Sequence, residues 1–133
     1  MTTLLAHIRI KPGKEDKWEA IIADMVAQTF ATEAGVRRYE YWKGQEPNSY
    51  YCLLSFDDKH AFYEHQMSDH HEGHDFGEVL DGIKLEYVDP VQGSGGGLAP
   101  TRDTPLPGNA SAKQRTAQER FALEIPAWWS GRK

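Results

Sequence analysis

The sequence has little cysteine and no long apolar run. A single cysteine, Cys52, excludes a disulfide within the chain, so a reducing compartment is expected. No segment approaches the about 20 consecutive apolar residues that cross a bilayer, and the amino terminus lacks the pattern of a secretory signal. Glycine-rich phosphate loops, CxxC pairs and nucleophile elbows are also missing, which leaves nucleotide-dependent and serine-hydrolase activities without support. We expect a cytoplasmic protein without membrane association.

Positive charge is scarce in most of the chain. Residues 1–97 contain 9 Lys and Arg against 17 Asp and Glu, whereas residues 98–133 contain 6 against 3. The acidic part argues against a nucleic-acid partner, because a nucleic-acid groove needs clustered basic side chains. The basic tail could instead dock on an acidic surface, either of its own chain or of a second copy.

Hydrophobic periodicity predicts alternating strands and helices. Apolar residues at three- and four-residue intervals after Glu15 predict an amphipathic helix. Asp57 or Asp58 can cap a second helix that continues toward His74, with a break expected near Gly73 and Gly77. Alternating or apolar runs predict four strands, at residues 4–10, 36–43, 50–56 and 84–88.

The resulting order, β-α-β-β-α-β, predicts an α+β, ferredoxin-like domain over residues 1–91. Its antiparallel sheet has helices on one face only. The other face carries aromatic and apolar residues and needs a cover, so we expect a homodimer. Residues 92–110 have the composition of a flexible linker. Residues 111–133 form a C-terminal arm whose short helix and Trp-rich end are too apolar for a solvated tail, and the partner subunit is one surface on which it could pack.

Histidines mark the candidate site. Five of the six lie within residues 60–74, and imidazole titrates near neutral pH and binds metals. His70, His71 and His74 could share a helix face and bind zinc or nickel. A further well-placed ligand from elsewhere is not evident, and Gly73 disturbs the helical spacing, so we predict no metal site and no cofactor. Cys52 lies in an apolar strand and is expected to behave as a small hydrophobic residue.

Three segments resemble one family. The stretches 6–13, 33–36 and 56–70 are similar to the antibiotic biosynthesis monooxygenase (ABM) family, and the resemblance covers roughly residues 3–91. The spacing of His65 and His70 is most similar to the quinol monooxygenases and to the autoinducer-2 processing isomerases. The resemblance implies a dimeric α/β barrel, a pocket between sheet and helices, and oxidation of electron-rich aromatic rings by O₂ without metal or flavin.

An oxygenase of this type must deprotonate a phenol or quinol inside an apolar pocket, a task that suits histidine. His65 and His70 are the candidate catalytic residues. The candidate substrate-binding residues are Tyr39 and Tyr41 as hydrogen-bonding groups, with Trp42, Phe56, Phe62 and, as a secondary candidate, His7.

Two other functions stay open. One is an isomerase or lyase that acts on a small carbonyl compound, where a histidine would move a proton without O₂. The other is a non-catalytic dimer, a ligand-binding or assembly module whose aromatic tail joins subunits, and a pocket filled by its own side chains would indicate it. A structural role for His65, as a half-buried side chain bonded to a nearby backbone oxygen, also accounts for the sequence.

Overall fold

The structure, a computed structural model, describes residues 1–132 and the side chains of residues 1–129; Lys133, the end of the predicted arm, lies outside the described residues. The elements in chain order are β1 (Thr2–Ile10), α1 (Glu15–Thr32), β2 (Val36–Lys43), β3 (Ser49–Phe56), α2 (Lys59–Gln66), α3 (Asp69–Glu72), α4 (Phe76–Val79), β4 (Leu80–Val88) and α5 (Ala112–Arg120). Short 3₁₀ turns lie at Gly95–Gly97 and Ala127–Arg132.

Within the described residues, the strands form one antiparallel sheet in the order β2-β3-β1-β4. This confirms the predicted ferredoxin-like α+β fold. The fourth strand begins at Leu80, four positions before the predicted start, because Ile10 of β1 still pairs with Leu80. No helix among the described residues is long and apolar enough to cross a membrane.

The core lies between the sheet and its helices. β1 turns Leu4, Ala6, Ile8 and Ile10 toward the helices, and all four are buried. From α1 the residues that meet them are Trp18, Ile21, Met25 and Thr29. Each large apolar side chain in such a layer contributes about 1.5–3 kcal/mol by leaving water. Because these helices pack on one face of the sheet, they leave its opposite face uncovered.

That uncovered face, here called the open face, carries large side chains. Trp42 is 60% exposed and Tyr51 40% exposed. The two residues are register partners on β2 and β3, and His7 of β1 pairs with Tyr51 on its other side. An aromatic row therefore crosses three strands of the open face.

The second helix breaks earlier than its sequence predicts. α2 ends at Gln66, and the Ser68 hydroxyl donates a hydrogen bond to the carbonyl oxygen of His65 at 2.7 Å. A separate helical turn, α3, then starts at Asp69. The break therefore falls at Met67 and Ser68, before the glycines that were expected to cause it. Serine favours this outcome because its hydroxyl competes for backbone groups at a helix end.

The C-terminal arm packs on α2 of its own chain. Ala117 of α5 is fully buried, and the buried Lys59 of α2 donates a hydrogen bond to Gln118 Oε1 of α5 at 3.3 Å. Ser111 caps α5, because its hydroxyl accepts a hydrogen bond from the backbone N–H of Gln114. Packing against a partner subunit stays a prediction that a single chain does not test.

The segment with a linker composition is anchored near its middle. Thr101 is fully buried, its hydroxyl donates to the Val88 carbonyl at 2.6 Å, and its backbone N–H donates to Asp89 at 2.8 Å. These bonds tie the segment to the end of β4 and direct the arm toward α2.

Candidate active site

A cavity of about 400 Å³ lies between the sheet and α1. Its walls are mostly apolar and aromatic, and we call it the sheet–helix cavity. The lining includes Ala6, Ile8, Trp18, Met25, Tyr39, Tyr41, Cys52, Leu54, His65, Gln66, His71, Phe76, Leu80, Ile83, Leu85, Arg120 and Phe121. The cavity is not filled by its own side chains, and its size and apolar lining are those of a small-molecule site.

Beside this cavity, one carboxylate joins two histidines. His65 Nδ1 lies 3.1 Å and 3.2 Å from the two carboxylate oxygens of Glu33, and His70 Nε2 lies 2.6 Å from one of them. The hydroxyl of Thr29 lies 3.5 Å and 3.3 Å from the same two nitrogens. We call Glu33, His65 and His70 the carboxylate–histidine cluster.

Glu33 is held in its ionised form. Burial alone would raise its pKa, but hydrogen bonds and charge interactions with His65 and then His70 outweigh burial, and the pKa lies below its ordinary value. An ionised carboxylate only accepts hydrogen bonds, so His65 must donate through Nδ1–H and His70 through Nε2–H. In neutral His65 the lone pair is then on Nε2, which has no hydrogen-bond partner among the described residues.

Local chain geometry places Glu33 next to α2. The residue follows directly after the end of α1, where its extended backbone (φ −105°, ψ 116°) turns the chain toward β2. Two positions later, a Cβ on Gly35 would lie 2.6 Å from the Cβ of Ala61 on α2. Only glycine permits this approach without a shift, so Gly35 allows the end of α1 to lie against the helix that carries His65.

The helix break brings the two histidines to the same carboxylate. In one continuous helix, residues 65 and 70 would point about 140° apart, since five residues advance by one turn and a further 140°. With α2 ending at Gln66 and α3 starting at Asp69, both imidazoles reach Glu33. The prediction of a helix running on toward His74 misses this arrangement.

Aromatic rings fix the plane of His65, whose side chain is only 1% exposed. Tyr39 contacts it edge-on at 4.8 Å between ring centroids, Phe56 lies at 5.2 Å and His71 at 5.1 Å. Because its position is set by packing as well as by Glu33, the imidazole has little freedom to turn away from the cavity.

The other polar groups of the cavity wall stay protonated or are weak bases. Burial raises the pKa of the Cys52 thiol to about 12 and the pKa values of Tyr39 and Tyr41 above their ordinary range. The two phenols hydrogen-bond each other at 2.9 Å. Burial, followed by repulsion from His65, lowers the pKa of His71 to about 3. Of the two histidines that line the cavity, only His65 is hydrogen-bonded to a carboxylate, which can stabilise added positive charge.

The carboxylate–histidine cluster separates two spaces. His65 lines the sheet–helix cavity, whereas Glu33 and His70 line a second space of about 500 Å³ that opens at the surface between α2 and the arm. We call this second space the surface cleft. Glu33 is 12% exposed and His70 16% exposed, so the cluster is reached by solvent from the cleft side.

Sequence comparison identifies the family. The model of the antibiotic biosynthesis monooxygenase family matches residues 1–74, more than half of the chain. The chain belongs to the ABM family. The match contains the whole carboxylate–histidine cluster but stops before β4 and the C-terminal arm. No protein of curated function matches the sequence.

Solved structures share the ABM fold. A Shewanella oneidensis protein is 27% identical, with a TM-score of 0.60 over 65% of this chain and 87% of that chain. A candidate antibiotic biosynthesis monooxygenase from Caulobacter crescentus is 24% identical, with a TM-score of 0.63 over 68% and 89%. A Pseudomonas aeruginosa protein is 23% identical, with a TM-score of 0.59 over 65% and 90%. The uncovered third of this chain has the length of the linker and arm.

The structure brings together three of the residues expected at the ABM site. His65, Tyr39 and Tyr41 line the sheet–helix cavity. Phe56 and Phe62 are fully buried and contact each other with tilted rings at 5.6 Å, and Phe56 also contacts His65, so this pair belongs to the core beside the cavity rather than to its lining.

Three other expected residues lie elsewhere. His70 reaches Glu33 from the surface cleft, whereas Trp42 and His7 are on the open face, away from the cavity. Strand alternation contained this information for Trp42, since adjacent residues on a strand point to opposite faces and Tyr41 faces the cavity.

Sequence reasoning did not assign Glu33 and His71 to the site. The sequence indicates His71 only as a candidate metal ligand, although its place among the clustered histidines is a usable signal. Glu33 was part of the family resemblance, but nothing local to it indicated a role, because it meets its partners only through the fold.

Substitution of His71 should change the acid stability of the protein. In the unfolded chain the pKa of His71 is near 6.5, whereas burial holds it at about 3 in the fold. Below pH 6.5 the unfolded state therefore binds a proton that the folded state does not, and the free energy of unfolding falls as the pH decreases toward about 3. In His71→Asn, this fall should be flatter by up to about 1.4 kcal/mol per pH unit between about pH 6 and pH 5.

Urea denaturation at a series of pH values measures this effect. Gln66→Asn, which alters the same cavity without removing a titrating group, is the control and should keep the wild-type slope. An unchanged slope in His71→Asn would show that His71 is not held neutral by burial.

Proposed function

We propose that the protein is a monooxygenase that oxidises a small quinol or phenol with O₂, without metal or flavin, and that His65 is its general base. The observation that carries this proposal is a buried imidazole, oriented by an ionised Glu33, in the wall of an apolar cavity. Membership of the ABM family supports oxygenation as the reaction class.

Deprotonation of the substrate is the step that the site supports best. The free Nε2 of His65 takes the proton of a ring hydroxyl, and Glu33 stabilises the imidazolium that forms. The resulting anion is electron-rich and gives an electron to O₂. One oxygen atom then enters the ring and the other leaves as water, so that a quinol becomes a hydroxyquinone. The ring supplies all the electrons that O₂ takes, and no external reductant is needed.

The cavity suits both reactants. Its apolar wall, with Met25, Ile83 and Leu85 among its members, favours an aromatic ring and dissolved O₂ over water. Tyr39 and Tyr41 stay protonated because burial raises their pKa values, so a phenol O–H from this pair can donate to a substrate oxygen. These residues are positioned to bind substrate rather than to remove its proton.

Oxygen uptake with a panel of hydroquinones tests this function. Metal-stripped wild-type protein should consume O₂, and His65→Ala should lose the activity by about 10²–10⁴-fold, the usual contribution of a general base. Glu33→Gln should lose much of it too, because the amide cannot stabilise an imidazolium. His60→Ala is a matched control on α2, since His60 is hydrogen-bonded to Thr104 away from the cavity.

Two results would count against the proposal. Absence of uptake with every member of the panel would remove the oxygenase function, and equal activity in His65→Ala would remove the base. If deuterium from solvent enters a small carbonyl compound while no O₂ is used, the same His65 serves an isomerase or lyase instead.

We also propose that two copies associate through the open face, with Trp42 and Tyr51 at the contact. Both are exposed in the single chain, and they are neighbours across β2 and β3.

Light scattering should give twice the mass of the 15.1 kDa chain. Trp42→Glu should shift the mass toward the monomer, whereas Phe30→Glu, on the exposed side of α1, should not. A monomeric wild-type protein would contradict this assembly.

A further inference from the structure

The carboxylate–histidine cluster has the donor set of a transition-metal site. The donor atoms of Glu33, His65 and His70 all lie within 4.8 Å of one another. Two imidazole nitrogens and one carboxylate suit zinc, iron, cobalt or nickel, whereas calcium and magnesium prefer oxygen ligands alone. Sequence spacing pointed to a different set, His70, His71 and His74, which the structure does not bring together as three ligands.

The distances fit a metal ion with a small adjustment. Donor atoms about 2.0–2.1 Å from a tetrahedral zinc ion lie about 3.3 Å from one another. In the structure the carboxylate of Glu33 is 3.1 Å from His65 Nδ1 and 2.6 Å from His70 Nε2. The pair with His65 is already near the required separation, the pair with His70 is shorter than required, and the two imidazole nitrogens are within 4.8 Å of each other, so a shift of His70, which is on a short separate helix, is needed to bring all three donors to one ion.

Solvent access from one side of the cluster, and exclusion of water from the other side, also fit a metal site. Glu33 and His70 line the surface cleft, which provides an entry path and an open position for a further ligand. On the other side, His65 is 1% exposed and is packed against Tyr39 and Phe56. The site is thus closed toward the core and open toward solvent, as in zinc sites that keep an exchangeable position.

We propose that Glu33, His65 and His70 bind one divalent transition-metal ion, and that this ion competes with the role of His65 as a base. Coordination through Nδ1 requires that the remaining proton of a neutral imidazole is on Nε2. The nitrogen that faces the substrate would then have no free lone pair. Metal binding itself is independent of the proposed oxygenase function, whereas the inhibitory effect rests on it.

Titration of the metal-stripped full chain with Co²⁺ tests the binding. The visible absorption of Co²⁺ should change until one equivalent per chain is bound, and Zn²⁺ should displace it. Glu33→Gln should weaken binding by more than the about 10–100-fold typical of a lost outer-shell partner. If circular dichroism shows that Glu33→Gln is unfolded, His70→Asn serves as the second variant.

His74→Asn is the matched control. His74 is outside the cluster and pairs with Asp24 at 2.9 Å, so its substitution should leave binding unchanged. Binding that is lost in His74→Asn but kept in Glu33→Gln would place the ion elsewhere and overturn the proposal. Absence of saturable Co²⁺ or Zn²⁺ binding to folded wild-type protein would also overturn it.

Oxygen uptake separates this proposal from the oxygenase function. Saturating Zn²⁺ should abolish uptake by the wild-type protein, and a chelator should restore it. Uptake that rises with Fe²⁺ or Co²⁺ would overturn the competition and would contradict the metal-free reaction. If the stripped protein has no uptake at all, the oxygenase function fails, while the Co²⁺ titration still decides whether the metal site exists.

Discussion

The ionised carboxylate of Glu33, half enclosed between two imidazoles, is the interaction on which this account of the site depends. A carboxylate taken out of water is costly unless charged or hydrogen-bonding partners replace the water. Here His65 and His70 supply those partners at 3.1 Å and 2.6 Å. The contact with Glu33 selects the tautomer of His65 in which Nδ1 carries the proton and Nε2 does not. It also provides the negative charge that stabilises an imidazolium.

The rest of the fold brings these three side chains together. α1 ends just before Glu33, Gly35 lets that end approach Ala61 on α2, and the break at Ser68 turns His70 back toward the carboxylate. The C-terminal arm adds a wall that the ABM match does not include, because Arg120 and Phe121 line the sheet–helix cavity. Both Tyr63 and Tyr87 donate hydrogen bonds to the Phe121 carbonyl, which fixes the arm at this point.

Much of the fold could be predicted from periodicity, because strands and helices reflect local patterns. The strand Val36–Lys43 has the predicted bounds, and α1 starts at the predicted Glu15. The site was predictable only in part. His65 lies in a dense histidine segment, but Glu33 is 32 positions away and is joined to it only by tertiary packing. At the helix break the Ser68 hydroxyl bonds to the His65 carbonyl, and no periodicity reveals that hydrogen bond.

Nitrogen-15 NMR of the histidine side chains at about pH 8 tests the central claim most directly. The structure predicts that His65 carries its proton on Nδ1 and that Nε2 has the chemical shift of an unprotonated imidazole nitrogen. In Glu33→Gln this preference should weaken, because the amide can also donate to Nδ1. A protonated Nε2 in the wild-type protein, or the same tautomer preference in Glu33→Gln, would contradict the role of Glu33 in preparing His65 as a base.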